Sequence, residues 1–179
     1  MHAVVSLLPQ PYYARLESIW DDLEQSLGLR GYHFAPYPHF TWQGGQGYDP
    51  ERLRAVLESL AGQTAPFPVR TNGLGLFTGE QPVIFIPLVK TAELTALHRK
   101  IWQALEPAGS GFSSYYHPDN WVPHISLAFL DVTPANIGAL MERLAFHSYN
   151  WNMQIENFAF LNQPEGEAAK LEYSVPLRG

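Results

Sequence analysis

The sequence contains no cysteine. That absence excludes disulfides, thiolate nucleophiles, iron–sulfur clusters and thiolate zinc sites together, and it suits a reducing compartment. The chemistry must come from His, Ser, Thr and carboxylates. Basic residues are scarce as well: 11 Lys and Arg stand against 17 Asp and Glu, a formal charge of −6. An acidic chain argues against wrapping long nucleic acid, which needs many phosphate contacts, but leaves room for a short anionic ligand or one nucleic-acid end. Long apolar runs are missing too. The opening Met1-His2-Ala3-Val4-Val5-Ser6-Leu7-Leu8-Pro9 has no basic start, and the run Val83–Val89 is interrupted by Pro87. Neither a signal peptide nor a membrane span is expected, and the chain reads as cytoplasmic, soluble and free of the membrane.

What is present is 179 residues, 46% of them hydrophobic, enough to bury a sizeable core in one compact domain. The chain also repeats itself. Pro38-His39-Phe40-Thr41-Trp42 returns 85 positions later as Pro123-His124-Ile125-Ser126-Leu127. Asp49-Pro50 and Thr133-Pro134 each place a capping side chain before a proline, the signature of a helix start. The following stripes agree in register, Leu53, Val56, Leu57 and Leu60 against Ile137, Leu140, Met141 and Leu144, both at the spacing of one apolar helix face. Upstream, Ile19-Trp20 with Leu23-Glu24 returns as Ile101-Trp102 with Leu105-Glu106.

Each half therefore reads as strand, helix, motif strand, helix, strand. The first runs from Ala3–Leu8 to Arg70–Phe77 and the second from Val83–Leu88 to Met153–Leu161, with Leu171–Leu177 as a last strand. Two pseudo-repeats, about 1–79 and 82–179, meet at Thr78–Pro82 without a linker. An α+β fold is expected, organised about a pseudo-two-fold axis.

Within each motif strand, residues two apart share a face. His39 and Thr41 thus lie on one side with Phe40 and Trp42 on the other, and His124 and Ser126 oppose Ile125 and Leu127 in the same way. With seven His, roughly 0.7 His-x-Ser/Thr triplets are expected by chance. What discriminates this pair is the proline before each His, the apolar neighbours and the matching repeat position. Two imidazoles facing each other across a cleft supply a base and an acid near neutral pH, because the ordinary His pKa is about 6.5.

With these four residues in two repeated halves, the chain resembles the 2H phosphoesterase superfamily, which includes 2′-5′ RNA ligase-like proteins and 2′,3′-cyclic phosphodiesterases. The resemblance implies a bilobal fold in which two antiparallel sheets line a central cleft with helices outside. It implies catalytic His39 and His124, with Thr41 and Ser126 donating to phosphate oxygens, and no cofactor or metal. The expected substrate is a nucleotide with a cyclic phosphate, a short RNA end or a 2′-5′ linkage, bound by a monomer; ligation is the formal reverse. A non-catalytic nucleotide or RNA-end binding module on the same fold is the alternative. A scaffold whose repeated strands merely pack is the third option, and it requires both His to point into separate lobe cores.

Four aromatics precede the motifs in loop-like stretches: Tyr37, Tyr115, Tyr116 and Trp121. Each is a candidate for stacking on a base and equally a cover for the core edge. His117-Pro118-Asp119 with His124 lacks regular metal-ligand spacing, so no metal is assigned. His98 aligns with Leu16 and reads as packing; His2, His33 and His147 read as structural. Basic residues are sparse near the motifs: Arg30, nine residues ahead of the first, and Arg70, on the strand after the first-lobe helix, are the candidates to approach the cleft, against a plainer role as solvated surface residues.

Overall fold

The computed structural model describes residues 1–179. The first half contains β1 (His2–Leu7), α1 (Tyr12–Leu27), β2 (His39–Gly45), β3 (Gly47–Tyr48), α2 (Pro50–Gly62), β4 (Phe67–Arg70) and β5 (Gly75–Phe77). The second contains β6 (Val83–Pro87), α3 (Ala92–Leu105), β7 (Gly109–Ser110), β8 (His124–Ala128), α4 (Ile137–Ala145), β9 (Asn152–Ile155), β10 (Asn157–Asn162) and β11 (Lys170–Pro176).

The helix ends show their local causes. Asp49 caps α2 by accepting from the Arg52 amide at 3.0 Å, with Pro50 in the first turn, and Thr91 caps α3 through the Leu94 amide at 3.1 Å. Gly28 closes α1 at φ +71°, a left-handed conformation that costs a glycine little. The start expected at Thr133-Pro134 moves to Ile137. There Asn136 is the reason: its side chain accepts from the Thr133 amide and donates to the Asp131 carbonyl, both at 2.8 Å, holding residues 133–136 as a turn.

The strands pair antiparallel in the orders β11-β10-β1-β2 and β5-β6-β8. This is an α+β architecture with antiparallel sheets. Two expected strands are each broken in two. Arg70–Phe77 splits because β4 pairs with β9 whereas β5 pairs with β6, and Gly73, at φ +69°, lies in the link between them. Met153–Leu161 splits at Glu156, between β9 and β10, whose carbonyl is taken by the Leu177 amide at 2.9 Å. In the β4–β9 ladder Phe67 faces Ile155 and Arg70 faces Asn152. Shifting both partners by the 85-residue repeat exchanges these pairs, so the ladder maps onto itself and lies across the pseudo-two-fold.

Both motif strands carry the same irregularity. Val4 pairs with Gln43 and Val5 with Thr41, leaving Trp42 as the extra residue; Ile84 pairs with Ala128 and Phe85 with Ser126, leaving Leu127. A bulge of this kind bends a strand and re-aims its side chains. Each one immediately follows the hydroxyl residue of the motif. Beneath the strands, Phe40, Trp42, Ile125 and Leu127 join one continuous apolar core with Leu53 and Leu57 from α2 and Leu140 and Leu144 from α4. No helix is long and apolar enough to cross a membrane.

Candidate active site

His39 and His124 are the first residues of β2 and β8. Each strand is secured at that point by an equivalent backbone bond, Leu8 N–H to the Pro38 carbonyl and Leu88 N–H to the Pro123 carbonyl, both 2.9 Å. Each imidazole is secured as well. Nδ1 of His39 lies 2.5 Å from the Tyr37 carbonyl, and Nδ1 of His124 lies 2.7 Å from the Val122 carbonyl. A carbonyl only accepts, so Nδ1 carries the proton in both rings. In the neutral form Nε2 is then the basic nitrogen, and neither Nε2 has a protein partner.

His39, Thr41, His124 and Ser126 line a single cavity of about 270 Å³. Tyr37 and Tyr116 line it with them, and Ala3, Ala35, Val83, Phe129, Leu161 and Ala169 make much of its wall apolar. The His124 ring is held edge-on by Phe77, 4.9 Å between centroids at 86°, and tilted against Phe85 at 5.2 Å.

The electrostatics differ from the premise of ordinary imidazoles. Burial pushes His39 down to about 4, with the nearby His124 also opposing its protonation, and burial likewise pushes His124 below its usual value. Both rings are neutral in the free protein at pH 7. An anionic phosphate between them acts in the opposite sense and favours the imidazolium.

The expected aromatics separate into three groups. Tyr37 and Tyr116 reach the cavity. Tyr115 is 80% exposed on the rim of an adjoining basin of about 680 Å³, which shares Met1, Val83, Tyr116 and His124 with the cavity. Trp121 does not serve as a stacking platform. It is 1% exposed, its ring lies on His98 at 3.8 Å and 3°, and its Nε1–H donates to the Thr41 carbonyl at 3.0 Å. The loop before β8 has to be sealed against β2, and an indole fills that gap while satisfying a buried carbonyl.

His98 is itself 1% exposed and bonds the Trp42 carbonyl through Nε2 at 2.9 Å, a packing residue set fully in the core. His33 pairs with Glu24 at 3.0 Å. His117 approaches Asp119 at 3.5 Å, and no group of three or more His, Asp or Glu side chains is positioned to hold a metal ion.

Neither candidate cation reaches the cleft. Arg30 pairs with Glu24 at 2.9 Å on the surface, and Arg70 lines a separate hollow beside Glu93 and Asn152. Trp20, which also lines the cavity, was readable only as a helix-repeat match to Trp102; its partner packs elsewhere, against Phe112 and His117.

Comparison with known proteins agrees with this arrangement. The family model of the 2′-5′ RNA ligase superfamily matches residues 9–167. A Bacillus cereus (strain G9842) protein named as a phosphoesterase is 25% identical over 131 residues, 72% of this chain and 72% of the relative. Among solved structures, TT0787 of Thermus thermophilus superposes with a TM-score of 0.68 at 20% identity, covering 99% of this chain and 98% of that one. LigT of E. coli, in a complex with 3′-AMP, superposes with a TM-score of 0.60 at 16% identity over the same shares. These two structures share the fold, and the family match extends over most of the sequence; the chain belongs to the 2′-5′ RNA ligase superfamily, that is, to the 2H phosphoesterases.

Proposed function

We propose that this protein is a metal-independent phosphodiesterase that opens a 2′,3′-cyclic phosphate on a nucleotide or RNA end. One observation carries the proposal. Two imidazoles, each anchored through Nδ1 with Nε2 unpartnered, share one cavity with two hydroxyls. In the reaction a water oxygen bonds to phosphorus as the bond from phosphorus to one ribose oxygen breaks. The neutral Nε2 of one His takes the water proton, and the imidazolium of the other gives its proton to the departing ribose oxygen. Thr41 and Ser126 donate to the non-bridging oxygens, where charge is held in the transition state.

The pseudo-symmetry makes the roles of base and acid a matter of which way the cyclic phosphate sits. With the 5′-hydroxyl of a second nucleotide attacking phosphorus in place of water and the ribose 3′ oxygen departing, the same base and acid serve 2′-5′ ligation, and by microscopic reversibility the cleavage of that 2′-5′ linkage. The complex of LigT with 3′-AMP supports a nucleotide as the ligand class. The test is hydrolysis of the four nucleoside 2′,3′-cyclic phosphates in excess EDTA, with 2′- and 3′-phosphate products separated. Turnover that resists EDTA and yields one positional isomer is expected. No turnover of any of the four would count against a mononucleotide substrate and move the test to RNA ends and 2′-5′ linkages; binding of those without turnover would favour the binding-module alternative.

A further inference from the structure

Away from the catalytic cleft, a hollow of about 370 Å³ lies between α1, α4 and the segment 147–151. None of its lining residues lines the cavity. At a helical advance of about 100° per residue, Arg15, Ser18, Ile19 and Asp22 share one side of α1, and Trp20, which does reach the cavity, projects from the opposite side. The charges here are not demands of the repeated fold. In the match of α1 with α3, Arg15 and Asp22 correspond to Leu97 and Ala104, and in the match of α2 with α4, Arg143 corresponds to Ser59.

The donors of the hollow are held in place but unused. Arg143 is paired with Asp22, whose two carboxylate oxygens take its Nε–H and Nη2–H at 2.5 Å each. Arg15 has no carboxylate in ion-pair reach; it lies over the Tyr12 ring, 5.3 Å from the centroid, and that ring packs on Trp151 at 5.4 Å. The His147 imidazole and the Ser148 hydroxyl are exposed and unpaired. Tyr149 is 3% exposed, and its hydroxyl is buried without a hydrogen-bond partner. Burial pushes that phenol up to about 12, so at pH 7 it is a donor lacking an acceptor. Thr71 fixes the segment, its hydroxyl donating to the Tyr149 carbonyl and accepting from the Trp151 amide at 2.9 Å. The carbonyl at the end of α4 that would repel an anion, Leu144, is taken by the His147 amide at 3.2 Å.

Donors on two separate chain segments, with one positive charge left unbalanced, suit a tetrahedral oxyanion better than a planar carboxylate, which offers only two oxygens. At about 30 Å³ for each water the hollow has room for about a dozen, more than a bare ion fills, and Ile19, Leu144 and Trp151 give it an apolar side. We infer that this hollow is a second ligand site that takes a phosphate monoester, its phosphoryl oxygens met by Arg15, His147, Ser148 and the Tyr149 hydroxyl, and its organic part laid against Ile19, Leu144 and Trp151.

The test is residue-resolved: amide NMR spectra of the ¹⁵N-labelled protein during titration with phenyl phosphate, inorganic phosphate and acetate, at an ionic strength held constant with chloride. Phenyl phosphate should shift the amides of Ser18 and of residues 147–149 along a saturating curve, with inorganic phosphate at least about threefold weaker and acetate weaker still. Arg15→Gln and Tyr149→Phe should each weaken phenyl phosphate at this site by about fivefold or more. The first alters an exposed side chain and the second removes one oxygen, and the dispersion of the same spectra reports that each variant is folded. Shifts at 147–149 that stay linear, inorganic phosphate or acetate binding as tightly as the ester, or midpoints indifferent to both substitutions would overturn the inference. No turnover enters the comparison, so its outcome is independent of the phosphodiesterase reading.

Discussion

Replacing Trp121 by Phe separates two roles that an aromatic beside an active site can play. The indole Nε1–H satisfies the Thr41 carbonyl at 3.0 Å, and the ring stacks on His98 at 3.8 Å with Trp42 also beside it at 5.5 Å. Phenylalanine keeps part of the stack, removes the donor and leaves a gap. A buried carbonyl without a partner costs about 1–3 kcal/mol, and the lost ring volume adds about 1 kcal/mol. Urea unfolding should therefore show a stability loss of about 2–4 kcal/mol through a lowered midpoint at unchanged slope. Trp121 also lies three residues ahead of His124 and bonds the residue that contributes the hydroxyl beside His39. Its loss shifts the two motifs relative to each other, and kcat of the folded variant should fall by about tenfold to a hundredfold, the scale of a misplacement near 1 Å. A residue that stacked on the substrate base would instead raise KM and leave the urea midpoint alone. Unchanged stability together with a raised KM would refute this reasoning.

Three further outcomes follow from the geometry. Because burial lowers both imidazoles, His39 to about 4, the singly protonated pair of the free enzyme is most populated below the ordinary His pKa of about 6.5. A kcat/KM profile from pH 4 to 8 should peak in that acidic window, and a maximum above pH 7 would contradict it. His98, buried and pushed down to about 4, stays neutral in the fold while the unfolded chain takes up a proton at about 6.5. Stability should fall as pH drops from about 6.5 to 4, by up to about 3 kcal/mol from this residue, and His98→Gln should reduce that acid loss in parallel urea titrations. At Gly31 an added Cβ would lie 1.8 Å from the Phe129 carbonyl oxygen, which only a backbone shift can relieve. Gly31→Ala should cost at least about 2 kcal/mol, read as a Tm lowered by about 5 °C or more.

Much of this architecture was readable because the signals were local. Strand period alone puts His39 with Thr41 and His124 with Ser126, and the 85-residue repeat puts the two pairs in equivalent places. Asp49 before Pro50 announces α2 through a side chain that needs no tertiary partner. The features that escaped depend on contacts distant in sequence. The bulges at Trp42 and Leu127 exist only relative to β1 and β6, and the breaks after Arg70 and at Glu156 arise where a strand changes partners. Trp121 reads as a loop aromatic until His98 and Trp42, 23 and 79 residues away, close around it. The lowered imidazole pKa values are likewise a property of the closed cleft, with no trace in the motif itself.

The central claim is that two imidazoles share the work of one displacement. Its most direct test is the initial rate on a nucleoside 2′,3′-cyclic phosphate, in EDTA, for the unaltered protein and for His39→Ala and His124→Ala, each shown to be folded. The account predicts that each substitution alone lowers kcat by about 10²–10⁴. Full activity in either variant would contradict it.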